Sequence, residues 1–189
     1  MSNRVFFSFH YKDVIDFRAN VVRKHNIVKG KSSGYFDASI WEDAKKESNL
    51  ALKRLINREL ENTSVTAVLI GSDTYNRQWV KYEILRSMWR GNNIIGIHIN
   101  SIPDKNGETK INGNNPFDYL GIRYNQDGTR LSIYEWMDGK WVEYSNFDNY
   151  NIKQKSKEFY GKFYQLSKFY NVYDWIGNDG YNNFVKWIE

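Results

Sequence analysis

Apolar residues follow two alternating rhythms over the first hundred positions. The runs Arg4 to His10, Val65 to Gly71 and Asn93 to Ile99 are short and almost unbroken, which predicts strands covered on both faces rather than half-exposed ones. Between them the spacing turns helical. Asp13 is placed to cap a helix whose stripe is Val14, Phe17, Val21 and Val22 and which ends near Lys29-Gly30. Leu52, Leu55, Ile56 and Leu60 give a face to a helix from about Ser48 to Glu61, and a third helix is predicted over Trp79 to Arg90. Tyr35 to Ala38 is placed as a short second strand. Strand and helix in alternation predict an α/β fold, a doubly wound parallel sheet flanked by helices.

Past Asn100 the rhythm stops. A polar stretch from Ser101 to Gly121 carries Pro103, Gly107, Gly113 and Pro116, and its pattern fits either a surface insertion or a cover over a site. Leu131 to Trp136 and Lys140 to Tyr144 flank Asp138-Gly139, the signature of a β-hairpin. Phe159, Phe163, Leu166 and Tyr170 are spaced as one helical face, so aromatic-rich C-terminal helices are expected. One domain over residues 1–189 is the resulting expectation, with a core in 1–100 and a loop, hairpin and helical elaboration in 101–189.

Composition narrows the chemistry. With 41% hydrophobic residues the chain can bury a real core, and with no cysteine it has neither disulfides nor thiolate nucleophiles. Three histidines, His10, His25 and His98, leave little for metal binding, and no metal site is expected. No apolar run reaches the roughly 20 residues of a membrane span, and Met1 to Arg4 leads into aromatics without a signal-peptide core, so a soluble cytoplasmic protein is expected. The net charge of +5 raises nucleic acid as a partner. However, acidic residues interrupt Lys12, Arg18, Arg23, Lys24, Lys29 and Lys31, which fits solvated surface better than a binding groove.

In an open parallel sheet, ligands sit beyond the carboxyl ends of the strands. The segments there are Ser8 to Tyr11, Asp37 to Ser39, Gly71 to Asp73 and Asn100-Ser101. The third leads into Trp79 and Glu83, four residues apart and hence on one helical face. In the first turn of that helix, Glu83 is expected to be ionised. Spacing alone is equally compatible with an ordinary helical carboxylate beside a packing indole.

Two segments resolve this by resemblance. Phe6-Phe7-Ser8-Phe9-His10-Tyr11-Lys12-Asp13 resembles the opening box of TIR domains, and Ser64 to Glu83 resembles their strand, loop and helix carrying Ser-x-x-Tyr and Trp-Cys-x-x-Glu, with Val80 in place of the cysteine. The whole chain, including Tyr173-Asp174-Trp175 and Asp179-Gly180-Tyr181, is similar to the TIR-like ThsB family of bacterial Thoeris anti-phage systems. That resemblance implies a flavodoxin-like sheet and an enzyme that cleaves the nicotinamide–ribose bond of NAD to make a cyclic ADP-ribose-type signal. NAD is the substrate and no cofactor is implied. The signal activates the effector ThsA, a phage component is the implied trigger, and self-association stays open.

By position, Glu83 corresponds to the catalytic glutamate and Trp79 to the tryptophan before it. Ser8, Phe9 and His10 correspond to the segment lining the nucleotide pocket, and Asp37 to an acidic residue entering a mobile loop. A TIR-type module acting only through protein contacts is the alternative function.

Overall fold

The structure is a computed structural model, and it describes residues 4–10, 12–15, 17–28, 33–34, 48–147 and 150–189. The expected strand over Tyr35 to Ala38, the helix end at Lys29-Gly30 and the Asp37 assignment lie outside those residues. The chain divides into two compact units, Met1–Asn114 with Asn171–Glu189, and Asn115–Tyr170.

The first unit is the parallel α/β sheet. Its strands are β1 (Val5–Ser8), β2 (Ser33–Gly34), β3 (Val65–Ile70), β4 (Asn93–His98) and β10 (Val172–Asp174), ordered β10-β4-β3-β1-β2. All of their pairings are parallel, and Val5 to Ser8 align with Val65 to Val68. Every residue of β1 and β3 is buried, as their unbroken apolar runs require.

Strand alternation divides the buried residues between two layers. Val5, Phe7, Val65, Ala67, Leu69, Ile95 and Ile97 share one cluster with Ala19 and Val22 of α2 (Arg18–Val28) and Phe184 of α5 (Gly180–Trp187). Ser8 and Thr66 point the other way, bonded to Glu83 and Ser87 of α4 (Gln78–Arg90). Packed beside α4 is α3 (Asn49–Leu60), whose first turn is capped by the Ser48 hydroxyl accepting from the Ala51 amide at 3.1 Å. Helices on both faces make the sheet doubly wound.

The first helical stripe is interrupted. Helix α1 (Lys12–Ile15) stops, Phe17 takes φ 64° and is 60% exposed, and α2 begins at Arg18. Phe17 therefore leaves the stripe in which its spacing had placed it. Arg18 and Arg23, expected at the surface, are only 2% and 6% exposed.

The second unit is an antiparallel sheet ordered β7-β6-β5-β9, formed by β5 (Leu120–Tyr124), β6 (Arg130–Met137), β7 (Lys140–Glu143) and β9 (Phe163–Gln165), with β8 (Tyr150–Asn151) paired to β6. The hairpin joins β6 to β7 as its turn signal predicts. Asp138 and Gly139 both take positive φ, 49° and 79°, the geometry a two-residue turn of this hand demands.

The helix expected over Phe159 to Tyr170 is absent. Phe159 ends a 3-10 turn, Gly161 takes φ 67°, Phe163 enters β9 and Leu166 opens another 3-10 turn. Pairing of Phe163 to Gln165 with β5 supplies backbone hydrogen bonds that a helix would have had to make internally. One C-terminal helix does form, α5, and with β10 it belongs to the first unit. No helix among the described residues is long and apolar enough to cross a membrane.

Candidate active site

Ser8 ends β1 and is fully buried, facing the α4 layer. Its neighbour in the sheet is Val68, so its side chain emerges between β1 and β3 at the level of the second turn of α4. There its hydroxyl donates to Glu83 Oε2 at 2.5 Å. Glu83 is the sixth residue of α4 and 3% exposed.

This burial overturns the expectation of an ionised carboxylate. Helix-terminal amides act within the first turn, which Glu83 has already left, whereas removal from water acts in full. Burial pushes the carboxyl up from 4.5 to about 8, and the bond from Ser8 opposes that rise without cancelling it. At neutral pH the free protein holds Glu83 protonated. A carboxyl displaced this far by burial beside a strand end marks a candidate functional site.

The other sequence candidates are less closely gathered. Phe9 points to the opposite layer, packs against the α2-side cluster and carries the Arg23 guanidinium 4.9 Å from its ring centre. It does not share Ser8's face of the sheet. His10 is half-buried just beyond β1, its carbonyl accepting the Asp13 amide at 2.9 Å. Trp79 is half-buried on α4, one turn before Glu83, its ring edge-on to Tyr82 at 5.9 Å. Geometry thus joins Ser8 to Glu83, keeps Trp79 on the helix of Glu83, and turns Phe9 away.

At the rim beyond the strand ends, Thr74 and Asp13 join the segments Gly71 to Asp73 and Asn100-Ser101. The Thr74 hydroxyl accepts the Gly71 amide at 2.9 Å, and the Asp13 carboxylate lies against Gly71 so closely that a Cβ there would fall 2.2 Å from it. Asn100, 1% exposed, donates to Ser72 Oγ at 3.0 Å and to the Ile111 carbonyl at 2.6 Å. Arg18 is the residue most completely missed. Its signal was present, since Arg18, Ala19, Val22 and Arg23 fall in helical phase and all four are buried.

Comparison with known proteins decides the family. The sequence model of the family described as Thoeris protein ThsB, TIR-like domain, matches residues 6–104. The chain belongs to the ThsB family of TIR-like proteins. Among its relatives is a protein of Bacillus cereus (strain MSX-D12) named "Putative cyclic ADP-D-ribose synthase ThsB1", 60% identical over 192 residues, with both chains covered completely. In this ThsB family member the matched residues contain β3, α4, β4 and all of β1 but Val5, and hence both Ser8 and Glu83.

Proposed function

We propose that this protein breaks the nicotinamide–ribose bond of NAD and closes the ADP-ribose into a cyclic signalling molecule. The carrying observation is the buried Glu83 carboxyl, held by Ser8 beside the carboxyl end of β1 in a chain 60% identical to a protein named as a cyclic ADP-D-ribose synthase.

The chemistry suits one tunable carboxyl. As the anomeric carbon–nitrogen bond breaks, its electron pair leaves with nicotinamide, which departs neutral, and positive charge develops on the ribose ring. A carboxylate fixed nearby, in a site shielded from water, stabilises that charge more strongly than it would in solvent. Glu83 is the proposed catalytic residue. The pyridinium of NAD carries positive charge into the site and favours loss of the Glu83 proton on binding. Ser8 holds the carboxyl in one orientation throughout. Trp79, His10 and Asp37 are proposed to contact the nucleotide, and Phe9 to support the pocket from the opposite layer.

The product is proposed to act as a diffusible signal for the effector ThsA, with a phage component as the trigger. The test is incubation with NAD, followed by quantification of nicotinamide and mass analysis of the nucleotide products, for the wild type and for a folded Glu83→Gln variant. Loss of both products in the variant is the expected result. Wild-type rates in Glu83→Gln would overturn the mechanism, and no NAD turnover by the wild type, with or without lysate from infected cells, would favour a module acting through protein contacts alone.

A further inference from the structure

The polar stretch after β4 is held down at four places. Arg18, 2% exposed, donates from Nε to the Ile102 carbonyl and from Nη2 to the Glu108 carbonyl, both at 2.8 Å, reaching 84 and 90 residues along the chain. Asn100 donates to the Ile111 carbonyl while its own carbonyl accepts the Lys110 amide at 2.9 Å. Asn112 Nδ2 reaches Asp174 Oδ2 at 3.2 Å, and Ser101 Oγ reaches Asp174 Oδ1 at 2.7 Å. Finally, Gly113 lies against the backbone just beyond β3, where an added Cβ would fall 2.1 Å from the Gly71 carbonyl oxygen. Internally the segment is closed by Asp104, whose Oδ1 accepts the amides of Asn106 and Glu108 at 2.8 and 3.0 Å.

These contacts lay the segment over the carboxyl ends of β3 and β4, where ligands of doubly wound sheets bind. Ser8 aligns with Val68, three residues before Gly71, so Gly113 crosses roughly 10 Å along β3 from the level of the Ser8–Glu83 pair. The amides of Glu108 and Asn106, and beyond them the Arg18 charge, hold the Asp104 carboxyl below its ordinary value, so Arg18 bears on the turn that closes the segment as well as on its carbonyls.

We propose that residues 100–113 form a fixed roof over the nucleotide end of the sheet, and that Arg18 is the positioning residue that holds it, so that the bond made at the anomeric carbon is intramolecular rather than hydrolytic. This rests on the NAD-cleaving function proposed above. Once nicotinamide has left with the bonding pair, the anomeric carbon accepts a pair from one of two nucleophiles. An atom of the same ADP-ribose gives the cyclic product. Water gives linear ADP-ribose, and a nucleophile that is an O–H group, whether water or a hydroxyl of ADP-ribose, releases one proton to solvent as its bond forms. A roof that excludes water and keeps the two ends of ADP-ribose together selects the first. Arg18 touches no reacting atom and acts only through the roof.

The test uses the full chain with Arg18→Met, which keeps a stem of similar length without the donors, and with Gly113→Ala, which lifts the roof off Gly71 without altering the α2 core. Nicotinamide release, the cyclic-to-linear product ratio and KM for NAD are measured together, with circular dichroism confirming the fold. Both variants are expected to release nicotinamide within about threefold of wild type while the ratio falls roughly tenfold, and Arg18→Lys is expected to recover part of it.

Gly113→Ala decides the matter if Arg18→Met fails to fold. An unchanged ratio in a folded variant that still releases nicotinamide overturns the roof. Equal loss of nicotinamide and cyclic product reduces Arg18 to a structural role and overturns it as well. A wild type that releases no nicotinamide overturns the parent function instead, and the roof falls with it.

Discussion

Replacing Glu83 by glutamine should change how stability depends on pH, in a direction set by burial. Glutamine keeps the shape and can still accept from the Ser8 hydroxyl, but it cannot ionise. In the wild type the folded carboxyl holds its proton up to about 8, whereas the unfolded one releases it near 4.5. The folded state therefore binds more protons between those values. Its stabilisation by the Glu83 proton is fully present below 4.5 and is lost as pH rises to about 8. At about 1.4 kcal/mol per pH unit, that window makes the loss on the order of 5 kcal/mol. Urea unfolding of both proteins at intervals from pH 5 to pH 9 isolates the effect, because every other titrating group cancels in the difference. The variant should gain on the wild type as pH rises, with similar m-values. Parallel stability curves across this range would refute the claim that Glu83 is buried and neutral in the folded protein.

Four further outcomes follow from the same geometry. The kcat/KM for NAD should rise with pH through about 8 as Glu83 ionises in the free enzyme, and a flat initial-rate profile from pH 6 to 9 would contradict a carboxylate mechanism. Ser8→Ala removes the hydrogen bond that lowers the Glu83 pKa, so that limb should move to higher pH at a stability cost of about 1 kcal/mol; movement to lower pH would contradict it. Trp175→Ala should cost roughly 3–5 kcal/mol in chemical denaturation, since the indole is fully buried and packs with Phe184 at 6.0 Å. In thermal melting, Gly139→Ala should destabilise the β6–β7 hairpin by about 1–2 kcal/mol because its φ is 79°, and Asp138→Asn should be nearly neutral.

What the sequence revealed depended on the range of the physics involved. The start of α3 near Ser48, the Asp138-Gly139 turn and the unbroken run of β3 are local, and each was legible in a few residues. The helix wrongly expected over Phe159 to Tyr170 shows the limit. An i, i+4, i+7, i+11 series of apolar residues is equally served by turns and a short strand once a distant strand, β5, offers hydrogen bonds. The site divides in the same way. Glu83 was singled out by motif, but its protonation depends on burial and on Ser8, 75 residues earlier. Phe9 was read as facing the ligand because neighbouring residues were treated together, whereas strand alternation sends Ser8 and Phe9 to opposite layers.

The return of β10 and α5 to the first unit carries a consequence for biosynthesis. Trp175, Phe184 and Ile188 belong to the same cluster as Val5 and Phe7, with Asn115–Tyr170 translated between them. A ribosome delivers the N-terminal strands first, yet their core lacks three of its members until almost the last codon has been read. The enclosed antiparallel unit has all its strands in hand earlier. The sheet whose first strand ends in Ser8 thus gains its edge strand β10 and the last members of its α2-side core only late in translation.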